Sequence, residues 1–175
     1  MEQAAHMAKL VDDGAFEAML AAHRGIVFKV ANTYCRLPED RADLAQEIAA
    51  QLWRAWPGYD PARPASTWIY RIALNVAMSF VRNASLRQRH AVPLDESLHD
   101  IADGGLREHD NALEHAQRLR LLQGFIARQA PLDRALLLLY LDERGQREIG
   151  EILGISESNV STKIGRLKQR IRDEL

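Results

Sequence analysis

Hydrophobic residues recur along this chain every three or four positions, and no stretch of useful length alternates as a strand would, so the periodicity is helical throughout. Phe16, Met19, Leu20, His23, Val27, Val30, Ala31 and Tyr34 mark a first amphipathic helix. "RLPED" interrupts it, and Glu39 or Asp40 is placed to start a second helix through a cap and the N-terminal dipole. Leu44, Ile48, Leu52 and Trp56 then follow at four-residue intervals as a straight apolar stripe. "PGYDPARPAS", with three prolines and a glycine in ten residues, stops that helix. Ser66 or Thr67 is expected to cap a third helix carrying Trp68, Ile69, Ile72, Ala73, Val76, Ala77 and Phe80, whose charged residues, Arg71 and Arg82, are basic.

From about Ser85 to Asp110 the periodicity fails. "VPLDESLHDIADGG" is acidic and punctuated by Pro93, Gly104 and Gly105, which is the composition of a linker. A second helical set begins near Leu113. One helix covers Leu119, Leu122, Phe125 and Ile126, and another starts around Pro131, a favoured first-turn position. The pattern predicts an all-α chain of two small helical domains joined by a flexible linker, with no internal repeat.

The last two helices lie in "REIGEILGISESNVSTKIGRLKQRI", Arg147 to Ile171. Ile149, Ile152 and Leu153 form the apolar edge of the first. Gly154 permits the left-handed backbone of a tight turn, Ile155 can plug the corner, and Ser156 is a good N-cap. Val160, Ile164 and Leu167 face inward from the second helix. This is helix-turn-helix spacing, in which the second helix is free to enter a major groove. Ser158, Asn159, Ser161, Thr162, Lys163 and Arg166 are left facing outward, where they can donate to phosphates and read base edges. A plain helical hairpin with a polar face has the same geometry. Gly165, costly in mid-helix, would let the backbone come close to a partner that the sequence does not name.

Charge distribution favours the DNA-reading alternative. The net charge of the 175 residues is −1, unusual for a protein that must displace counterions from DNA unaided. The average conceals a segregation. Residues 61–90 hold 5 basic and no acidic side chains, residues 91–117 hold 1 basic and 7 acidic, and residues 157–172 hold 5 basic and 1 acidic. Five cations are few for independent operator binding at cellular salt, so the second lobe is expected to work within something larger. The longest apolar run, "ALLLLYL", falls far short of the roughly 20 residues a membrane span needs. Asp12 and Asp13 stand where a secretory signal would be apolar, and the single cysteine, Cys35, has apolar neighbours and reads as a buried small hydrophobe. A cytoplasmic protein is expected. His90, His99, His109 and His115 straddle the linker without metal-ligand spacing, and no nucleophile–base pair or phosphate-cradling glycine loop is evident. No enzyme, metal or cofactor is therefore predicted.

One further stretch, "DLAQEIAAQLWRAWPGYDPARPASTWIYRIALNVAMSFVRN", resembles the extracytoplasmic-function class of sigma factors of bacterial RNA polymerase, in the sigma-70 family. The resemblance rests on "DL.QE", on the tryptophans of "LWRAW" and above all on "TWIYRIALNVA". The helix-turn-helix resembles the same family's C-terminal domain, and the two halves stand in the family's order. That resemblance implies an N-terminal extension (1–14), a region 2 domain for polymerase docking and −10 element recognition (15–90), an acidic linker (91–114) and a region 4 domain for −35 recognition (115–175). Docking on the clamp helices of the polymerase's largest subunit would use Asp43, Gln46, Glu47, Trp53 and Arg54. Trp56 and Trp68 read instead as core, and core packing is an equal alternative for Trp53. A contact of the second lobe with the flap of the second-largest subunit is also implied. The −10 element would be read through a flipped base lined by Asn75, with Tyr70 and Arg71 nearby and Arg63, Arg82, Arg87 and Arg89 suited to the strand's phosphates. Family members are often held inactive by an anti-sigma protein. Two positions depart from the family pattern, where Ala49 and Ala65 replace usual phenylalanines. The rival readings are a sigma-like interaction protein that binds polymerase without initiating, and a stand-alone helix-turn-helix regulator.

Overall fold

The structure, a computed structural model, describes residues 2–90 and 110–174, and the side chains of residues 13–86 and 116–174. Every regular element among them is helical: α1 (Glu2–Tyr34), α2 (Pro38–Ala55), α3 (Ala65–His90), α4 (Asp110–Ala127), α5 (Pro131–Leu141), α6 (Gln146–Leu153) and α7 (Glu157–Glu174), with one 3-10 turn at Trp56–Gly58. Most of the expected linker, and the side chains of Arg87, Arg89, His90, His99, His109 and His115, lie outside the described residues.

In the first lobe, α1, α2 and α3 pack on one another. Leu44, Ile48 and Leu52 form the predicted stripe of α2 and are fully buried against Val30, Ile69, Ala73 and Ala77. Trp56 departs from that stripe. It sits in the 3-10 turn, half-buried, stacked on Tyr59 at 5.2 Å and edge-on to Trp68 at 6.2 Å. This aromatic cluster fixes where α2 ends and α3 begins.

Two helix starts differ from the sequence expectation. Leu37 is the extended residue before α2, with no side-chain cap, and Pro38 occupies the first turn. Proline presets the helical φ and has no N–H to be capped, so Glu39 and Asp40 contribute only their charge to the helix dipole. In α3 the Trp68 N–H donates to the Pro64 carbonyl at 3.3 Å, which places Ser66 and Thr67 inside the first turn rather than at the cap. Their hydroxyls bond instead to Arg144 and Glu148, respectively, of the second lobe.

In the second lobe, α5 begins at Pro131 as expected, and Ala135, Leu136 and Leu139 are fully buried with Phe125, Ile149 and Val160. Leu119 points outward because α4 meets the core through its C-terminal half, where Phe125 is buried. Gln129 is buried, and its amide donates to the Phe125 carbonyl at 2.8 Å. Cys35 is buried as expected; desolvation, and then the charge of Asp40, push its thiol up to about 11.

The two lobes touch. Their buried residues form one continuous apolar cluster, and the Tyr34 hydroxyl of α1 donates to the carbonyl of Pro131, the first residue of α5, at 2.6 Å. Arg134 lies over the Tyr34 ring at 5.8 Å, and burial lowers its pKa. No helix among the described residues is long and apolar enough to cross a membrane.

Candidate nucleic-acid interface

The helix-turn-helix forms as its sequence requires. Gly154 adopts a left-handed backbone at φ 69°, where a side chain would be strained. The Ser156 hydroxyl accepts the Asn159 N–H at 3.2 Å and caps α7. Val160, Ile164 and Leu167 are buried and anchor that helix. Gly150, which the sequence reading passed over, is equally necessary. A Cβ there would lie 2.7 Å from the Ile155 carbonyl oxygen, so only glycine lets the turn fold back onto α6.

On the outer face of α7, Ser158, Asn159, Ser161, Thr162 and Arg166 are exposed. Thr162 donates its hydroxyl back to the Ser158 carbonyl at 3.0 Å, which leaves its oxygen to accept. Lys163 is less available than the sequence implied, because it is two-thirds covered and pairs with Asp133 at 3.6 Å. Lys168 lies over the Tyr140 ring at 4.3 Å, Arg170 faces the Phe125 ring at 5.7 Å, and Arg172 donates to Gln169 at 2.8 Å. Among the described residues, Arg166 is the cation of α7 with no protein partner. It is exposed and free to meet something outside the chain.

In the first lobe, the expected docking and −10 residues converge. Asp43, Gln46 and Glu47 of α2 and Asn75 of α3 line one open groove of about 910 Å³, floored by Ile72, Val76 and Phe80. Residues that the sequence assigned to two different partners therefore share one surface. Trp53 is both exposed and packed. It is 42% exposed, and its ring also meets Phe16 edge-on at 4.9 Å. Arg54 is exposed and pairs with Glu47 at 3.7 Å. The loop before α3 is braced internally, with Asp60 accepting the Ala62 N–H at 3.0 Å and the Tyr59 hydroxyl donating to the Arg63 carbonyl at 3.1 Å. Arg63, Arg71 and Arg82 are exposed along the same lobe.

Tyr70 is placed otherwise. It has no exposed surface, and its hydroxyl donates to Asp142 at 2.8 Å across the lobe boundary. A base cannot reach it while the lobes are in contact. Burial, and then its bond to Asp142, raise its pKa. Asp142 also accepts from Lys29 of α1 and pairs with Arg144 at 3.4 Å. Arg144 in turn donates to Glu148 at 2.9 Å and to the Ser66 hydroxyl at 3.2 Å, while Thr67 donates to Glu148 at 2.8 Å. Burial alone would raise the pKa of Asp142, but the bonds from Lys29 and Tyr70 outweigh it and hold the carboxyl below its usual range. Nothing in the sequence reading pointed to this cluster. Its members come from four segments, α1, α3, the turn after α5, and α6, and no spacing within any one of them announces the others.

An exposed reading helix in one lobe and a polar groove beside a braced loop in the other describe an all-α DNA-binding protein with two separate contact surfaces. The family comparison agrees. A family model for Sigma-70 region 2 matches residues 19–87, and one for Sigma-70, region 4 matches residues 120–171. The chain belongs to the extracytoplasmic-function sigma factors of the sigma-70 family, alternative sigma factors that direct transcription initiation. SigW of Bacillus subtilis, an ECF RNA polymerase sigma factor, is 26% identical over 173 residues, covering 94% of this chain and 90% of SigW. The RNA polymerase sigma factor CnrH of Cupriavidus metallidurans is 28% identical over 164 residues, covering 90% of this chain and 84% of CnrH. Among solved structures, RpoE of Bartonella quintana in complex with the anti-sigma factor NepR has the same fold, with a TM-score of 0.68 at 15% identity over 91% of this chain and 95% of RpoE. CnrH in complex with the cytosolic domain of CnrY gives 0.62 at 20% identity over 92% of this chain and 87% of CnrH.

Proposed function

We propose that the chain docks on RNA polymerase core through α2, with Asp43, Gln46, Glu47, Trp53 and Arg54, and opens promoters by holding the −10 strand along α3 and the −35 duplex along α7. The groove shared by Asp43, Gln46, Glu47 and Asn75 carries this reading. On this reading the polymerase contact lies directly beside the strand-holding residue, so that docking and melting act on one surface. Asn75, with Arg63, Arg71 and Arg82, binds the opened strand. Ser158, Asn159, Ser161, Thr162 and Arg166 read the −35 element, and Lys163 joins them if it leaves Asp133. The working division is a first lobe of residues 15–90 and a second of 115–175, acting in the cytoplasm with no catalytic step of their own. The solved complexes of RpoE with NepR and of CnrH with CnrY favour an anti-sigma protein as a further partner.

The lobes must part to do this. At about 3.4 Å per base pair, elements about 25 base pairs apart lie roughly 85 Å apart on a duplex. A compact chain of this length has a radius of gyration of about 16 Å, or a diameter of roughly 40 Å. Residues 91–109 can reach at most about 65 Å when extended, so the covalent connection permits separation.

Run-off transcription with purified bacterial core polymerase on genomic fragments tests the proposal. Discrete transcripts that depend on this chain are expected. Co-elution with core but no transcript would leave an interaction protein, and failure to bind core would remove the docking assignment.

A further inference from the structure

Three groups of the first lobe converge on two carboxylates of the second. Lys29 and the Tyr70 hydroxyl each donate to a different oxygen of Asp142. The Thr67 hydroxyl donates to Glu148 at 2.8 Å. Thr67 and Tyr70 stand on α3, in the segment 61–90 that holds no acidic residue and is expected to carry the −10 strand. An ammonium and two hydroxyls, aimed together, are a donor set for an anion with several oxygens.

The charge balance shows what happens on opening. In the closed arrangement Lys29 and Arg144 face Asp142 and Glu148, two cations against two anions. When the lobes part, Arg144 leaves with both carboxylates, because all three belong to the second lobe. The first lobe keeps Lys29, Thr67 and Tyr70 as converging donors, now open to solvent. Water takes the place of the carboxylates, and an anion with several oxygens displaces it because it can take several donors at once, with a charge-assisted bond from the ammonium.

We propose that Lys29, Thr67 and Tyr70 form a phosphate-binding site for the backbone of the opened promoter strand, and that Asp142 and Glu148 occupy it while the lobes are closed. Closure and promoter engagement then exclude each other, through competition for one set of donors. Asp142 offers two oxygens, each taking one donor, as two non-bridging oxygens of a phosphodiester would. This rests on the promoter-reading function proposed above and adds Lys29 to the residues that perform it.

Two substitutions separate a shared anion site from a simple latch. Asp142→Asn and Lys29→Gln both remove the Lys29–Asp142 ion pair, so both should open the free chain, seen as a larger radius of gyration by small-angle scattering. Their effects on DNA should differ in sign. The affinity of each free full chain is measured for a single-stranded −10 oligonucleotide taken from a promoter mapped by run-off transcription, with the wild-type holoenzyme measured alongside. Asp142→Asn should bind several-fold more tightly than wild type. Lys29→Gln should bind several-fold more weakly, with a salt dependence shallower by about one counterion. Equal gains in both variants would overturn the phosphate site and leave only a latch, and unchanged scattering in Asp142→Asn would overturn the competition. Failure of the wild-type holoenzyme to bind the oligonucleotide would instead remove the promoter-reading function. Circular dichroism checks that both variants keep their helical content, which the half-exposed Lys29 and the isosteric Asp142→Asn change should preserve.

Discussion

Two glycine-to-alanine changes in the helix-turn-helix should move stability in opposite directions. At Gly150 the new methyl would sit 2.7 Å from the Ile155 carbonyl oxygen, a backbone atom that cannot swing aside. Overpacking of this kind costs up to about 3 kcal/mol, and the gain in helix propensity returns about 1 kcal/mol. The net is a loss of about 2 kcal/mol, or a Tm roughly 4–8 °C lower for a chain of this size. At Gly165 nothing lies within 4 Å of the position a Cβ would take. There only the propensity term acts, giving about 1 kcal/mol of added stability and a Tm roughly 2–4 °C higher. Yet Gly165 lies four and seven residues beyond Ser161 and Ser158, on the same reading face. The more stable Gly165→Ala variant should therefore bind −35 duplex several-fold more weakly in the holoenzyme, because its methyl intrudes where DNA approaches. Thermal melting followed by circular dichroism, with duplex binding on the same samples, measures both. Gly150→Ala melting at or above wild type would refute the close-packed turn, and Gly165→Ala binding DNA as wild type does would refute close approach at α7.

Asn75→Ala should slow promoter opening roughly tenfold, the worth of about one polar contact, while leaving core binding unchanged, as permanganate footprinting beside a core co-elution assay would show. Arg166→Ala should cost about 1–3 kcal/mol of −35 affinity, and an equal loss on unrelated duplex would mean that Arg166 touches only phosphate. Lys29 and Tyr70 hold the Asp142 carboxyl below its ordinary range, with Arg144 beside it and Glu148 on the same cluster. Lobe closure should therefore be at full strength above about pH 4 and fade as pH falls through the depressed value. Scattering against pH that showed opening already at pH 6 would contradict this. The Cys35 thiol, buried and pushed up to about 11, should resist an aromatic disulfide reagent at pH 8 and react fully once the chain is unfolded in urea.

The parts of the structure that were legible in the sequence are those that one helix can specify by itself. The stripe Leu44, Ile48 and Leu52, the first-turn Pro131, the left-handed Gly154 and the Ser156 cap all act within a few residues of where they stand, and each is found as the sequence implies. The sequence said least where a residue's partner is distant. Ser66 and Thr67 have the chemistry of caps, but Arg144 and Glu148 claim their hydroxyls. Tyr70 belongs to a motif associated with strand binding, yet Asp142, 72 positions away, holds its hydroxyl in this arrangement. Lys163 follows the outward spacing of α7, but Asp133 draws it aside. A polar side chain at a given spacing announces that it can donate, and only the tertiary fold decides what accepts.

The same distinction settles how a chain of net charge −1 can read a polyanion. Counting the cations of α7 overstates what the second lobe can offer DNA. Lys163 is paired with Asp133 and Arg170 lies 4.0 Å from Glu174, whereas Arg166, Lys168 and Arg172 have no anionic partner among the described residues and keep their charge, so the lobe presents three unneutralised cations and a row of neutral donors. Few cations displace few counterions, so intrinsic duplex affinity is low and only weakly dependent on salt. Neutral donors read base edges but do not hold a duplex by themselves. The first lobe is similarly restrained, with Lys29 committed to Asp142 until the lobes part. Each reader is therefore selective and weak alone. Joining both to one polymerase turns the second contact into an intramolecular one, and that effective concentration supplies the affinity the chain does not carry itself.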